Sequence, residues 1–184
     1  PFGFGEVKET GRIDVKTLQY AYKASLLNKG ILLEEEFDHN HLTINESGIK
    51  YKDVLAKQLV FSDGFGMKQN PFFNHLPLVP AKGELLTIHA PDLNIEYVLK
   101  SAIFLIPLGN DLYIVGATYE WKDLTNQITD AAKNELLNKL NKLINCSFEV
   151  VNQVAGIRPT VKDRRPLVGQ HHTYKNIFVL NGLG

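Results

Sequence analysis

Residues 155–169 read Ala155-Gly156-Ile157-Arg158-Pro159-Thr160-Val161-Lys162-Asp163-Arg164-Arg165-Pro166-Leu167-Val168-Gly169. Glycines, prolines and charges crowd together here beside apolar flanks, which predicts a rigid loop presenting cations at a strand end. Arg158 lies between Ile157 and Pro159, so its backbone is constrained. Its planar guanidinium can hold a carboxylate through two parallel hydrogen bonds. Arg158 is therefore a candidate anion anchor. An arginine at this place can equally pair inside the protein, for instance with Asp163, and spacing alone leaves both readings open.

On either side of this loop, residues 148–154 and 177–180 read as strands. Upstream, Thr129 and Asp130 cap a predicted helix with Ala132, Leu136, Leu137, Leu140, Leu143 and Ile144 along one face. Residues 103–107 and 112–115 form an expected hairpin closed by Leu108-Gly109-Asn110-Asp111, and residues 84–88 a further strand. A Pro-interrupted connector, 76–80, precedes them. Residues 57–61 read as a buried strand emerging into the turn Ser62-Asp63-Gly64-Phe65-Gly66, the kind of strand end that faces ligands. Residues 31–37, 41–45 and 49–51 read as extended, the last two joined through Glu46-Ser47-Gly48. Near the start, Asp14 caps a helix over 15–28 in which Val15, Leu18, Tyr22 and Leu26 recur at helical spacing, with Gly30 as its stop.

The chain has 184 residues, 44% hydrophobic and 22% charged, enough to bury a core within one ordinary domain. Twenty basic residues balance twenty acidic ones, so nothing favours a polyanion, and a small molecule is the expected partner rather than nucleic acid. The single cysteine, Cys146, is expected as a small buried apolar residue, in keeping with a reducing cytoplasm. No apolar run approaches the ~20 residues that span a bilayer, and the first residues carry no charged leader followed by an apolar core. A soluble, cytoplasmic protein is expected. Motifs for autonomous hydrolysis, Walker loops and Cys-x-x-Cys pairs are absent. His39 with His41, and His171 with His172, lack a carboxylate or thiolate at a familiar spacing, so no metal is expected.

The order of motifs, Ala155-Gly156-Ile157-Arg158-Pro159, then Asp163, Pro166 and Gly169, then a strand ending in Asn181-Gly182, resembles the C-terminal signature of the D-amino acid oxidase superfamily, with glycine-oxidase-like members most similar. Earlier segments match in the same order: Gly11-Arg12-Ile13-Asp14, Leu59-Val60-Phe61-Ser62-Asp63-Gly64, Pro80-Ala81-Lys82-Gly83-Glu84 and Val115-Gly116-Ala117-Thr118. The resemblance implies an FAD cofactor that takes a hydride from the carbon bearing an amine. It implies that Arg158 grips the substrate carboxylate and that Phe104 and Tyr119 form pocket wall, Phe104 standing where relatives place a tyrosine. With Leu108 in place of a frequent basic residue, and with Tyr119, Glu120 and Trp121 following, a larger or more apolar substrate than glycine is expected. FAD contacts are implied at Glu36 and Phe37, at Asp63 and Gly64 where Ala-Gly or Ser-Gly is usual, and at Gly182, Leu183 and Gly184.

The expected fold is α+β, a mixed, largely antiparallel sheet with helices on one face. By the resemblance, residues 1–75 form part of an FAD-binding domain, 76–150 the substrate-binding domain, and 151–184 a return to the first. The Gly-x-Gly-x-x-Gly turn that binds a pyrophosphate is expected upstream of Pro1 and a further helix after Gly184, so this piece alone is expected to be inactive. The alternative from another class is a non-catalytic binding or scaffold domain that keeps the fold and has lost flavin.

Overall fold

The computed structural model describes residues 3–45 and 48–184, so the expected turn residues Glu46 and Ser47 lie outside the described residues. The chain divides into a first unit ending at Asp38 and a second, His39–Gly184.

In the first unit, α1 (Val15–Asn28) has the predicted limits. The Asp14 carboxylate accepts from the backbone N–H of Lys16 and Thr17 at 3.1 and 3.2 Å, two donors a helix start leaves unpaired. At the other end Gly30 has φ 64°, and its N–H reaches the Leu27 carbonyl, so the left-handed stop is also as read. The apolar positions Val15, Leu18 and Tyr22 are exposed. Residues 31–37 do not form the expected strand. A strand needs a ladder partner, and among the described residues of this unit there is no strand to supply one; an ion pair from Lys23 to Glu34 ties the segment back to the helix instead.

The second unit runs β1 (Leu42–Asn45), β2 (Gly48–Tyr51), β3 (Val54–Ala56), β4 (Leu59–Phe61), β5 (Ala81–His89), β6 (Leu99–Lys100), β7 (Phe104–Gly109), β8 (Leu112–Gly116), α2 (Asp130–Leu140), β9 (Glu149–Arg158), β10 (Leu167–Gln170) and β11 (Ile177–Asn181). Three sheets result: β1-β2-β3, β10-β11-β4, and the five-stranded β6-β7-β8-β5-β9. Every pair is antiparallel except β11 with β4. The α+β expectation of a mixed, largely antiparallel architecture therefore holds. The β7–β8 turn carries positive φ at Asn110 and Asp111, 51° and 59°, residues that tolerate that region.

Helix α2 lies on one face of the five-stranded sheet, with Leu136 and Leu140 fully buried against Leu86, Ile88, Leu105 and Val115. It ends earlier than the leucine stripe suggested: Leu143 and Ile144 follow it in a turn and still join the cluster, because apolar burial outlasts the helical hydrogen bonds. Cys146 sits half-buried at that cluster's edge. A second cluster joins Ile49, Phe61, Met67, Phe73 and Leu78 to Val161, Ile177 and Val179.

Beside the second cluster, His171 is buried, its Nδ1 accepting from the backbone N–H of Thr173 and Tyr174, both at 3.1 Å. Burial first, then the neighbouring His172 and His75, holds its pKa below the ordinary 6.5. The unfolded chain therefore takes up this proton at a higher pH than the folded one. The stability linked to His171 is complete above that ordinary value and is lost as pH falls through the lower folded value. The urea midpoint is expected to drop between pH 7 and pH 5, and His171→Asn, which keeps an acceptor near Nδ1, to flatten that limb. A wild-type midpoint unchanged over the interval refutes the linkage.

Candidate functional site

Alternation along β5 sorts its side chains by face: Lys82, Glu84, Leu86 and Ile88 lie toward α2, and Gly83, Leu85 and Thr87 point the other way. The site is built on this second face, the one turned away from α2. Phe104 and Leu85 flank Gly116 across the ladder, so closely that a Cβ there would lie 2.2 Å from Leu85 Cδ2 and 2.7 Å from Phe104 Cζ. They make an apolar wall, and Phe104 brings no hydroxyl.

At the neighbouring edge, Gly83 pairs with Gly156, and Ala81 with Arg158. The Arg158 guanidinium lies over Gly83, where an added Cβ would come within 2.0 Å of Nη2. Gly156 has nothing within 4 Å of its Cβ position, leaving bare ground beside the cation. The guanidinium also lies over the Tyr119 ring, 4.4 Å from Cζ to the ring centroid, and Trp121 stacks on Tyr119 at 6.0 Å. Nη1 and Nη2 donate to the Thr118 carbonyl at 3.4 and 3.5 Å, long for good bonds.

Among the described residues no carboxylate pairs with Arg158. Asp163 instead accepts from the backbone N–H of Arg165 at 3.1 Å, so the internal pair considered for Arg158 is not formed. Arg158 is a half-buried cation with a mostly unspent fork, suited to an external carboxylate.

Of the residues assigned to the cofactor, Asp63, Gly64 and Gly182 come together at the ends of β4 and β11. Asp63 accepts from Asn70 Nδ2 at 2.8 Å and from Asn181 Nδ2 at 3.1 Å, and Asn181 also donates to the Gly64 carbonyl at 2.9 Å. The departure to aspartate thus has a physical role: it ties two buried amides across parallel strands. Gly182 has φ 73° and takes its N–H to Asn181 Oδ1. From there the chain passes through exposed Leu183 to Gly184, whose Cβ position lies 2.8 Å from Pro159 Cδ and 3.2 Å from Arg158 Cβ. The Gly182–Gly184 segment and the anion anchor therefore share one edge. Glu36 and Phe37 lie in the irregular, exposed part of the first unit.

Sequence reasoning missed the polar layer on the α2 face. Lys82, 1% exposed, contacts Asp123 Oδ2 at 2.5 Å and Glu84 Oε1 at 3.6 Å. Glu84 accepts from Thr129 N and Oγ1 and from Gln153 Nε2, which locks it to the start of α2. The hydrogen bond from Lys82, then those from Thr125, hold the Asp123 carboxyl down to about 2, and Lys82 is raised in turn, first by Asp123. The pair stays charged across all ordinary working pH. Its sequence signals were two charges at alternate positions of an otherwise apolar strand, in the Pro80–Glu84 segment already noted, and neither names Asp123 as a partner. No group of His, Cys, Asp and Glu fit to hold a metal gathers among the described residues, and no helix there is long and apolar enough to cross a membrane.

Comparison with known proteins gives a family profile, DAO or FAD dependent oxidoreductase, matching residues 5–184. Among curated proteins the chain is 24% identical over 136 residues to the tRNA 5-methylaminomethyl-2-thiouridine biosynthesis bifunctional protein MnmC of Campylobacter jejuni, covering 71% of this chain and 22% of that protein. It is 26% identical over 111 residues to glycine oxidase of Geobacillus kaustophilus, covering 58% and 29%. Among solved structures, iminodiacetate oxidase from a Chelativorans species superposes with TM-score 0.78 at 20% identity, over 94% of this chain and 50% of that one. L-proline dehydrogenase from P. horikoshii does so with TM-score 0.75 at 15% identity, over 92% and 50%. The chain thus spans half the length of these solved relatives and less than a third of these curated ones.

Proposed function

The chain belongs to the FAD dependent oxidoreductase family, and on that premise we propose that it carries the substrate-anchoring part of an enzyme oxidising the C–N bond of an amino acid or secondary amine. FAD, when bound, supplies the hydride acceptor. The observation that carries this reading is Arg158, a cation with no carboxylate partner among the described residues, at the edge where Gly182–Gly184 passes. A flat ring system fits that edge, since Gly156 leaves open ground and Gly182 and Gly184 add no side-chain bulk. Asp63, Gly64 and Gly182 to Gly184 are the residues of this unit that would line the cofactor.

In this reading Arg158 fixes the substrate carboxylate, and Leu85 and Phe104 pack its apolar side and exclude water, so that the reacting carbon is held in one orientation. Relatives named for glycine, iminodiacetate and proline act on amines that carry a carboxylate, which supports the same class here. The apolar wall favours a substrate larger than glycine. The relatives named for tRNA modification raise an RNA-borne amine as an alternative, but equal counts of acidic and basic residues, 20 each, provide no excess charge for a phosphate backbone.

The test is the visible spectrum of the whole protein, followed by anaerobic titration with amino acids and N-methyl amines. A flavin band bleached by carboxylate-bearing amines is the expected result. Absence of any flavin band after FAD addition overturns the reading in favour of a non-catalytic binding domain.

A further inference from the structure

The segment that carries Tyr119 and Trp121 is laid on β5 by four short-range bonds. Lys82 N–H donates to the Glu120 carbonyl at 2.7 Å, Glu120 N–H to the Lys82 carbonyl at 2.9 Å, Thr118 N–H to the Glu84 carbonyl at 3.3 Å, and Glu84 N–H to Thr118 Oγ1 at 2.9 Å. Alternation then sends the Tyr119 and Trp121 rings to the Arg158 face and Glu120 to the other. Past Glu120 the chain turns, and the bond that returns this turn to β5 is Lys82 Nζ to Asp123 Oδ2. Asp123 is itself fixed, its Oδ1 accepting from Thr125 N and Oγ1 at 2.9 and 2.7 Å.

Lys82 is a costly residue to bury unless its charge is matched, and its close partner is Asp123 rather than Glu84, whose oxygens are engaged by Thr129 and Gln153. We propose that Lys82 and Asp123 are a positioning pair that holds the Tyr119–Trp121 stack over the Arg158 guanidinium and so fixes the plane in which it meets a carboxylate. The proposal rests on the reading of Arg158 as the carboxylate anchor. Neither residue touches substrate; both act through the aromatic stack that contacts the guanidinium.

Trp121 is the single tryptophan of the chain, so its emission reports from the site directly. The variants are Asp123→Asn, which keeps the backbone bonds and removes the charge, and Asp123→Glu, which restores it. The probes are acetate and its neutral counterpart acetamide, with time-resolved Trp121 anisotropy measured in parallel. Asp123→Asn is expected to enlarge the fast component of the anisotropy decay and weaken acetate binding about 3- to 10-fold, leaving acetamide unaffected, while Asp123→Glu recovers both. Unchanged anisotropy and acetate affinity in Asp123→Asn, with only a lowered melting temperature, overturns the proposal by reducing the pair to general stability. If the wild-type chain ignores acetate while Asp123→Asn still loosens Trp121, the anchor reading fails and the clamp on the aromatic stack stands.

Discussion

Arg158→Met is expected to lower kcat/KM for a carboxylate-bearing amine by roughly two to four orders of magnitude, with little change in melting temperature. The loss follows from removing two charge-assisted hydrogen bonds, each worth about 1.5–3 kcal/mol, against a tenfold change for every 1.4 kcal/mol or so. Methionine keeps the unbranched apolar stem out to about the Nε position, so the packing of that stem is retained while the guanidinium's contact with Tyr119 is lost. The cation–π contact that is lost contributes only about 0.5–1 kcal/mol at a partly exposed place. Since no internal carboxylate among the described residues depends on Arg158, no buried charge is orphaned by the change. Arg158→Lys keeps the charge without the fork and is expected to recover part of the activity. Comparing an amino-acid substrate with its amide isolates the anchor: the variant should discriminate less between them. A kcat/KM within about threefold of wild type would remove Arg158 from the substrate site.

The sequence made Arg158 visible because its neighbours are informative by themselves: an apolar residue before it, a proline after it, glycines at fixed offsets. Helix starts were visible for the same reason, since Asp14 and Thr129 cap through bonds to residues two or three positions on. What could not be read depended on long-range partners. Residues 31–37 have an extended composition, yet strand formation needs a partner that composition does not announce. The pairing of Gly83 with Gly156 is a matter of register, fixed only when β5 and β9 are aligned. Asp63 looked like an unexplained departure until Asn181, 118 positions away, was placed against it. Lys82 and Asp123, 41 positions apart, form the ion pair on which the aromatic stack depends; Lys82 stands in the Pro80–Glu84 segment, but nothing near it names Asp123 as its partner.

Gly83→Ala separates anchor from scaffold more sharply than any change at the arginine itself. Gly83 is buried near the start of β5, and its φ is not in the left-handed region, so alanine meets no backbone objection. A glycine inside a strand costs about 0.5–1 kcal/mol relative to alanine, so the substitution should leave the melting temperature unchanged or slightly raised. The new methyl, however, would fall 2.0 Å from Arg158 Nη2 and 2.3 Å from Cζ. The guanidinium is the far end of a flexible side chain and will yield where the sheet will not, moving by at least about 1 Å. A displacement of that size in a positioning group costs on the order of 10²-fold in rate. The expected outcome is a stable protein with a kcat/KM for carboxylate-bearing amines reduced some 30- to 100-fold, roughly, and a normal flavin spectrum. Equal activity in Gly83→Ala and wild type would mean that the position of the guanidinium over β5 is immaterial to the reaction, and a fall in melting temperature matching the loss of activity would place the effect in the strand rather than in the anchor.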